Sequence, residues 1–176
     1  TANGSAALLE NTTGESNTAT GTFSLKSNLT GNNNTSAGRN SLFNNISGNN
    51  NTSTGNNSMS SNIDGNSNSA NGFSALFSNT SGNNNVANGS SSLFNNSTGS
   101  FNTAIGGASL LGTSTGTNNT SIGYNSGSNN TIGSFNTSIG NRADFSGNNQ
   151  SNSTAVGNQA ISNASNKVRL GNTLVT

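Results

Sequence analysis

The sequence predicts an all-β chain, a parallel β-solenoid of about ten 17-residue coils. Three observations predict it. Glycine recurs every 17 residues from Gly4 through Gly21, Gly38 and Gly55 to Gly157. A second array, Gly14 to Gly133, runs at the same interval. The columns between them hold register without insertions, around the consensus T-[AS]-x-G-x-x-[SA]-L-[FL]-x-N-x-[ST]-G-x-x-N. Seventeen residues are too few for helical repeats, which need about 33 to 47.

Within each coil, T-A-x-G and S-L-F read as two short strand pieces, separated by turns rich in Gly and Asn that tolerate left-handed backbone. Stacked coils pair strand on strand about 4.8 Å apart, so ten make a rod of roughly 50 Å. Position two is only Ala or Ser, from Ala2 to Ala155, and position seven likewise, from Ala7 to Ala160. Both columns are assigned to the interior, where space is tight. Position eight is Leu8, Leu25, Leu42, Met59, Leu76, Leu93 and Leu110, then Gly127, Asp144 and Ile161. Asn repeats at positions eleven and seventeen, and stacked amides there are expected to form ladders.

Composition taken alone suggests disorder. Of 176 residues, 41 are Asn, 33 Ser, 22 Thr and 23 Gly, while 26% are hydrophobic and 5% charged. The register overrides that reading, because the biased residues occupy fixed sites. Ordering costs about 1.5 kcal/mol per residue, and apolar area is scarce, so partner chains are expected.

Position three supplies a surface for them. It lies opposite the small column and reads Asn3, Thr20, Ala37, Thr54, Asn71 and Asn88, then Ile105, Ile122, Ile139 and Val156. A β-branched row pointing outward wants a partner, so these last four are the candidate oligomer interface. Position nine (Leu9, Phe43, Phe77, Phe94, Leu111, Phe145) is a second ridge, left open between interior, interface and solvent. Its Phe43, Phe77 and Phe94 are candidate adhesive or interface aromatics.

Several function classes are excluded by composition. Without Cys or His there is no zinc or haem site and no thiol or histidine catalysis. A net charge of +1 gives no nucleic-acid footprint. No apolar run approaches the roughly 20 residues that span a bilayer, so no membrane insertion is expected. No acid–base pair or activated nucleophile stands out, so the chain is read as a non-enzyme without cofactor. The segment Thr1 to Leu9 lacks a signal-peptide pattern, and a mature or excised segment is expected.

The units TAIGGAS (103–109), TSIGYNS (120–126), TSIGNRA (137–143) and TAVGNQA (154–160) resemble head repeats of YadA-type trimeric autotransporter adhesins. Earlier units such as TSAGRNSLFNNISGNNN are similar to longer arrays in the same proteins, and NKVRLGNTLVT resembles the segment closing such heads there and in phage tail fibres. The resemblance implies a left-handed parallel β-roll, three chains packed through the apolar residue before Gly, and extracellular display on a bacterial surface or a virion or phage fibre. It implies a solenoid head over residues 1–165 and a closing segment over 166–176, leading to a stalk or chaperone. The expected partners are two further copies of the chain and a host-surface glycan or protein, and the expected function is attachment by multivalent contacts. The first six coils depart from the pattern at position three, where Asn, Thr or Ala replaces Ile or Val.

Other features have simpler readings. The glycines match no phosphate-loop motif and read as turn residues. Asp64, Asp144, Glu10 and Glu15 are too scattered for calcium, which takes six to eight oxygens, and are assigned to solvated faces. Arg142 with Asp144, and Lys167 with Arg169, read as surface ion pairs or capping charges. Asn11, Asn28, Asn45, Asn79 and Asn96 each begin N-x-[ST], which a turn role explains without glycosylation. A threonine column from Thr1 to Thr154 invites an ice-binding reading, but T-x-T occurs only at Thr18/Thr20 and Thr52/Thr54. A self-assembling structural fibre is the third alternative.

Overall fold

In the computed structural model residues 1–172 are described, and the last four residues of the closing segment lie outside them. Thirteen short strands alternate with turns: β1 (Ala2–Asn3), β2 (Thr18–Thr20), β3 (Thr35–Ala37), β4 (Thr52–Thr54), β5 (Ser69–Asn71), β6 (Val86–Asn88), β7 (Thr103–Ile105), β8 (Thr120–Ile122), β9 (Thr137–Ile139), β10 (Asp144–Phe145), β11 (Thr154–Val156), β12 (Ile161–Ser162) and β13 (Val168–Leu170). Eleven form one sheet in the order β1 to β9, β11, β13, while β10 and β12 form a second. The pairs are parallel and step by one repeat, as in Thr18↔Thr35 and Val86↔Thr103. Chain-order parallel pairing at one turn per repeat is a β-solenoid of about ten coils, with no helix among the described residues.

Each main-sheet strand is short, and its centre points inward. Ala19, Ser36, Ser53, Ala70, Ala87, Ala104, Ser121, Ser138 and Ala155 are buried, while residues on either side are mostly exposed. That is the two-residue alternation of pleated backbone. Position seven is buried opposite them, and the thin interior between admits only small side chains. The serines there bond one another across it, as in Ser24 Oγ to Ser36 Oγ at 2.7 Å and Ser41 Oγ to Ser53 Oγ at 2.8 Å.

The S-L-F piece corrects the sequence expectation. It is a strand only in the last two coils, as β10 and β12. In earlier coils it is a turn, because consecutive residues must both face inward. Ser41 and Leu42, or Ala75 and Leu76, are fully buried neighbours, and a pleated strand does not turn two successive side chains to the same interior. The chain solves this with left-handed backbone at positions six and eight, for example φ 54° at Asn40 and 50° at Leu42. A non-glycine residue pays roughly 1 kcal/mol there, and burying a leucine returns about 1.5–3 kcal/mol, so burial wins. Inter-coil hydrogen bonding continues through the turn, with Leu42 N–H donating to Ser58 O at 3.0 Å.

The leucine column ends at Leu110. At Gly127 a Cβ would stand 2.9 Å from Leu110 Cδ2 and 2.8 Å from Ser138 Oγ, so the interior is already full. One coil later residues 144–145 form a short strand in which both side chains are buried, Asp144 against Ser128 and Asn129 of the coil before and Phe145 in the interior. Phe145 then fills the interior with Ala143, Ala155 and Ala160, which places this member of position nine inside. The final turn is three residues shorter, pairing Thr154 with Val168, so residues 168–170 of the closing segment form the last strand.

Candidate functional site

Three polar columns bind coil to coil. At position eleven each amide donates to the carboxamide oxygen one coil back: Asn28 to Asn11 at 2.6 Å, and Asn45 to Asn28, Asn62 to Asn45 and Asn79 to Asn62 at 2.7 Å. The same nitrogen also donates to the Gly carbonyl three residues on, as from Asn45 to Gly48 O at 3.0 Å. At position seventeen each Oδ1 accepts the next coil's backbone N–H, and each Nδ2 donates to the next coil's position-fourteen carbonyl. For Asn34 these are Asn51 N at 2.9 Å and Gly48 O at 2.8 Å. At position fifteen the exchange runs from backbone N–H to side chain, as from Asn49 N–H to Asn66 Oδ1 at 2.8 Å.

The position-eleven ladder has one interruption. Asn96 donates to Asn79 Oδ1 at 2.8 Å, but the next coil carries Thr113, whose hydroxyl donates onward to Asn130 O. Asn96 Oδ1 is therefore buried without a partner among the described residues. This burial also decides the sequons: the amides of Asn28, Asn45, Asn79 and Asn96 are sealed in the ladder, so the folded rod does not offer them for glycosylation.

The outward columns are distributed along the rod. Ile105, Ile122 and Ile139 stand 38–39% exposed in consecutive strands, with Val156 half-buried beyond them. Phe43, Phe77 and Phe94 are half-buried and covered by other side chains. Phe77 and Phe94 stack with centroids 5.1 Å apart, and Phe43 meets Phe23 edge-on at 6.2 Å with Lys26 Nζ over its ring. On another side, Leu29, Ile46 and Ile63 of position twelve line a groove of about 520 Å³ with Glu10, Ser27, Asn44, Ser61 and Thr80. Sequence reasoning missed this groove, and it missed four exposed rings: Phe73 and Tyr124 at position five, Phe101 and Phe135 at position sixteen. The signal was present at position sixteen, where the corner is otherwise Asn or Ser. Thr18/Thr20 and Thr52/Thr54 are exposed, but Thr35/Ala37 separates them.

Two readings of the charged residues need correction. Asp144 is on no solvated face and forms no pair with Arg142. It is 6% exposed and accepts from Ser128 Oγ at 2.9 Å and from the N–H of Asn129. The ion pair found among the described residues joins Lys26 to Glu10 at 3.1 Å. Lys167 donates to Asn163 Oδ1 and Arg169 to Gly171 O, consistent with capping. No group of three or more His, Cys, Asp or Glu side chains comes together among the described residues, and no helix there could cross a membrane.

Burial pushes the Asp144 carboxyl above its ordinary range, against hydrogen bonds from Phe145 N–H, the Ser128 hydroxyl and Asn129 N–H that pull it down. The folded state then holds the proton more tightly than the unfolded chain, so this group's contribution is present at acid pH and lost as pH rises. Glu10 acts oppositely, because its hydrogen bond from Lys26 lowers its pKa. In a Glu10→Gln background the thermal midpoint should therefore rise on acidification from about pH 7 to about pH 3.5, across the carboxylate range. Adding Asp144→Asn should flatten that profile; equal slopes would contradict the assignment.

The ladder makes a second prediction. Asn62→Ala removes a link and orphans Asn45 Oδ1, and should cost about 2–4 kcal/mol in denaturant unfolding. Thr113→Asn supplies the missing donor to Asn96 and should gain about 1 kcal/mol. A neutral Asn62→Ala would sink the ladder as a stabilising element.

No protein-family model, no curated protein and no solved structure matches this chain.

Proposed function

We propose that this chain is a non-catalytic head segment of an extracellular fibre, of the adhesin or tail-fibre kind, that attaches to a host or other surface through many weak contacts. One observation supports it above others: the solenoid brings the same exposed positions back on coil after coil, so whatever one coil offers is repeated along the rod. Repetition of weak sites multiplies residence by about 10²–10⁴ when they engage together.

We further propose that three chains associate through the apolar end of position three. Ile105, Ile122 and Ile139 form a parallel row of β-branched side chains on adjacent strands, with Val156 continuing it. Such a row in water is costly at about 25 cal/mol per Å² of apolar area, and a partner chain relieves that cost. The six coils before it, with Asn, Thr or Ala at position three, then meet their neighbours through hydrogen bonds or solvent.

Light scattering on the purified chain should give three times the monomer mass, and Ile122→Asn with Ile139→Asn should give the monomer. The labelled trimer should adsorb to whole cells from a panel of bacterial and animal types, leaving at least 100-fold more slowly than the monomeric variant. A stable wild-type monomer would overturn the trimer, and adsorption to no cell type would overturn attachment.

A further inference from the structure

We infer that the corner formed by position sixteen between coils five and nine binds an extended, neutral, β-linked polysaccharide chain; this rests on the attachment reading above and names its ligand class. The column there reads Asn84, Phe101, Asn118, Phe135, Asn152, with aromatic and amide alternating, all five exposed. Phe101 is 58% exposed and Phe135 63%.

Folding does not explain these two rings. Both sit in left-handed backbone, at φ 59° and 60°, where the neighbouring coils place Asn. Bulky residues are disfavoured there, and these two keep more than half of their surface in solvent. Phe23 is left-handed too, at φ 60°, but it packs edge-on against Phe43. Phe101 and Phe135 carry the strain and expose their apolar surface together. Strain held by rings left mostly in solvent points to function.

The spacing and charge select the ligand. Coils rise by about 4.8 Å, close to the length of one β-1,4-linked pyranose, so one sugar falls on each coil. The two rings are two coils apart, roughly 10 Å on that spacing, where a two-fold ribbon presents the same sugar face again. Aromatic rings stack on the apolar faces of pyranoses, and the Asn118 amide between them suits a hydroxyl. Two residues on, Thr103, Thr120 and Thr137 add a hydroxyl row in the same register. No charged residue occurs between Asp64 and Arg142, which disfavours an anionic chain.

The test is calorimetric titration of the purified chain with cellohexaose, chitohexaose and mannohexaose. At least one should bind, with affinity unchanged between low and high salt. Phe101→Asn and Phe135→Asn, which install the residue of adjacent coils, should each weaken binding about tenfold while leaving thermal stability equal or higher. Binding of none of the three by a chain that still adsorbs to cells would overturn this inference and leave attachment standing; loss of both would remove the attachment reading as well. Unchanged affinity in the two variants would overturn it. So would a drop in their sedimentation mass, which would make the rings a contact between copies.

Discussion

The structure depends on a shared acceptor, the carbonyl of the position-fourteen glycine. Gly48 O receives the amide of Asn45 from its own coil at 3.0 Å and that of Asn34 from the coil before at 2.8 Å. Two columns of side chains thus converge on one backbone atom at Gly31, Gly48, Gly65, Gly82, Gly99 and Gly133. The residue must be glycine: a Cβ on Gly48 would stand 2.7 Å from Asn62 Nδ2 and collide with Asn45 Oδ1 and Gly65 O. Removing the side chain at position fourteen makes room for the amides, and the amides satisfy a buried carbonyl that would otherwise lack a partner. Buried polar groups are costly only when unmet. This is how a chain with 26% hydrophobic residues encloses an interior that is largely Asn and Ser.

The same constraint accounts for what was legible beforehand. Columns restricted to Ala and Ser announced a narrow interior, and positions two and seven are buried along the rod. Asparagine recurring at one spacing announced ladders. The glycine acceptor was invisible, because spacing shows that residues recur and not which atoms meet. The second strand was misread for a related reason. Alternation applies only where backbone is extended, and leucine at φ near 50° breaks it. Asp144 occupies the leucine column but was judged by its charge, although its column pointed inward. Phe101 and Phe135 escaped attention because no aromatic column surrounds them.

The rod also changes character along its length. Through the fifth coil, positions eleven and fifteen are mostly Asn and position three is Asn, Thr or Ala. Around the sixth and seventh coils the position-eleven ladder breaks at Asn96, position fifteen turns to Ser and Thr, and Ile105 begins the apolar row. The leucine core ends at Leu110, and a smaller cluster around Phe145 replaces it. The first half combines a continuous position-eleven amide ladder with the buried leucine column. In the second half the position-seventeen amides continue, through Asn102, Asn119 and Asn136, while position three becomes apolar. The two exposed rings of position sixteen fall in this second half.

The most direct test of the account is side-chain hydrogen exchange, measured by NMR on uniformly labelled protein. If the ladders hold the coils together, the Nδ2 protons of Asn45, Asn62 and Asn79 open only with the strands. They should then exchange as slowly as the backbone amides of Ser53 and Ala70, whose strands they accompany. Exchange as fast as that of the exposed Asn44 would contradict it, and would return the stability of the rod to its backbone pairing alone.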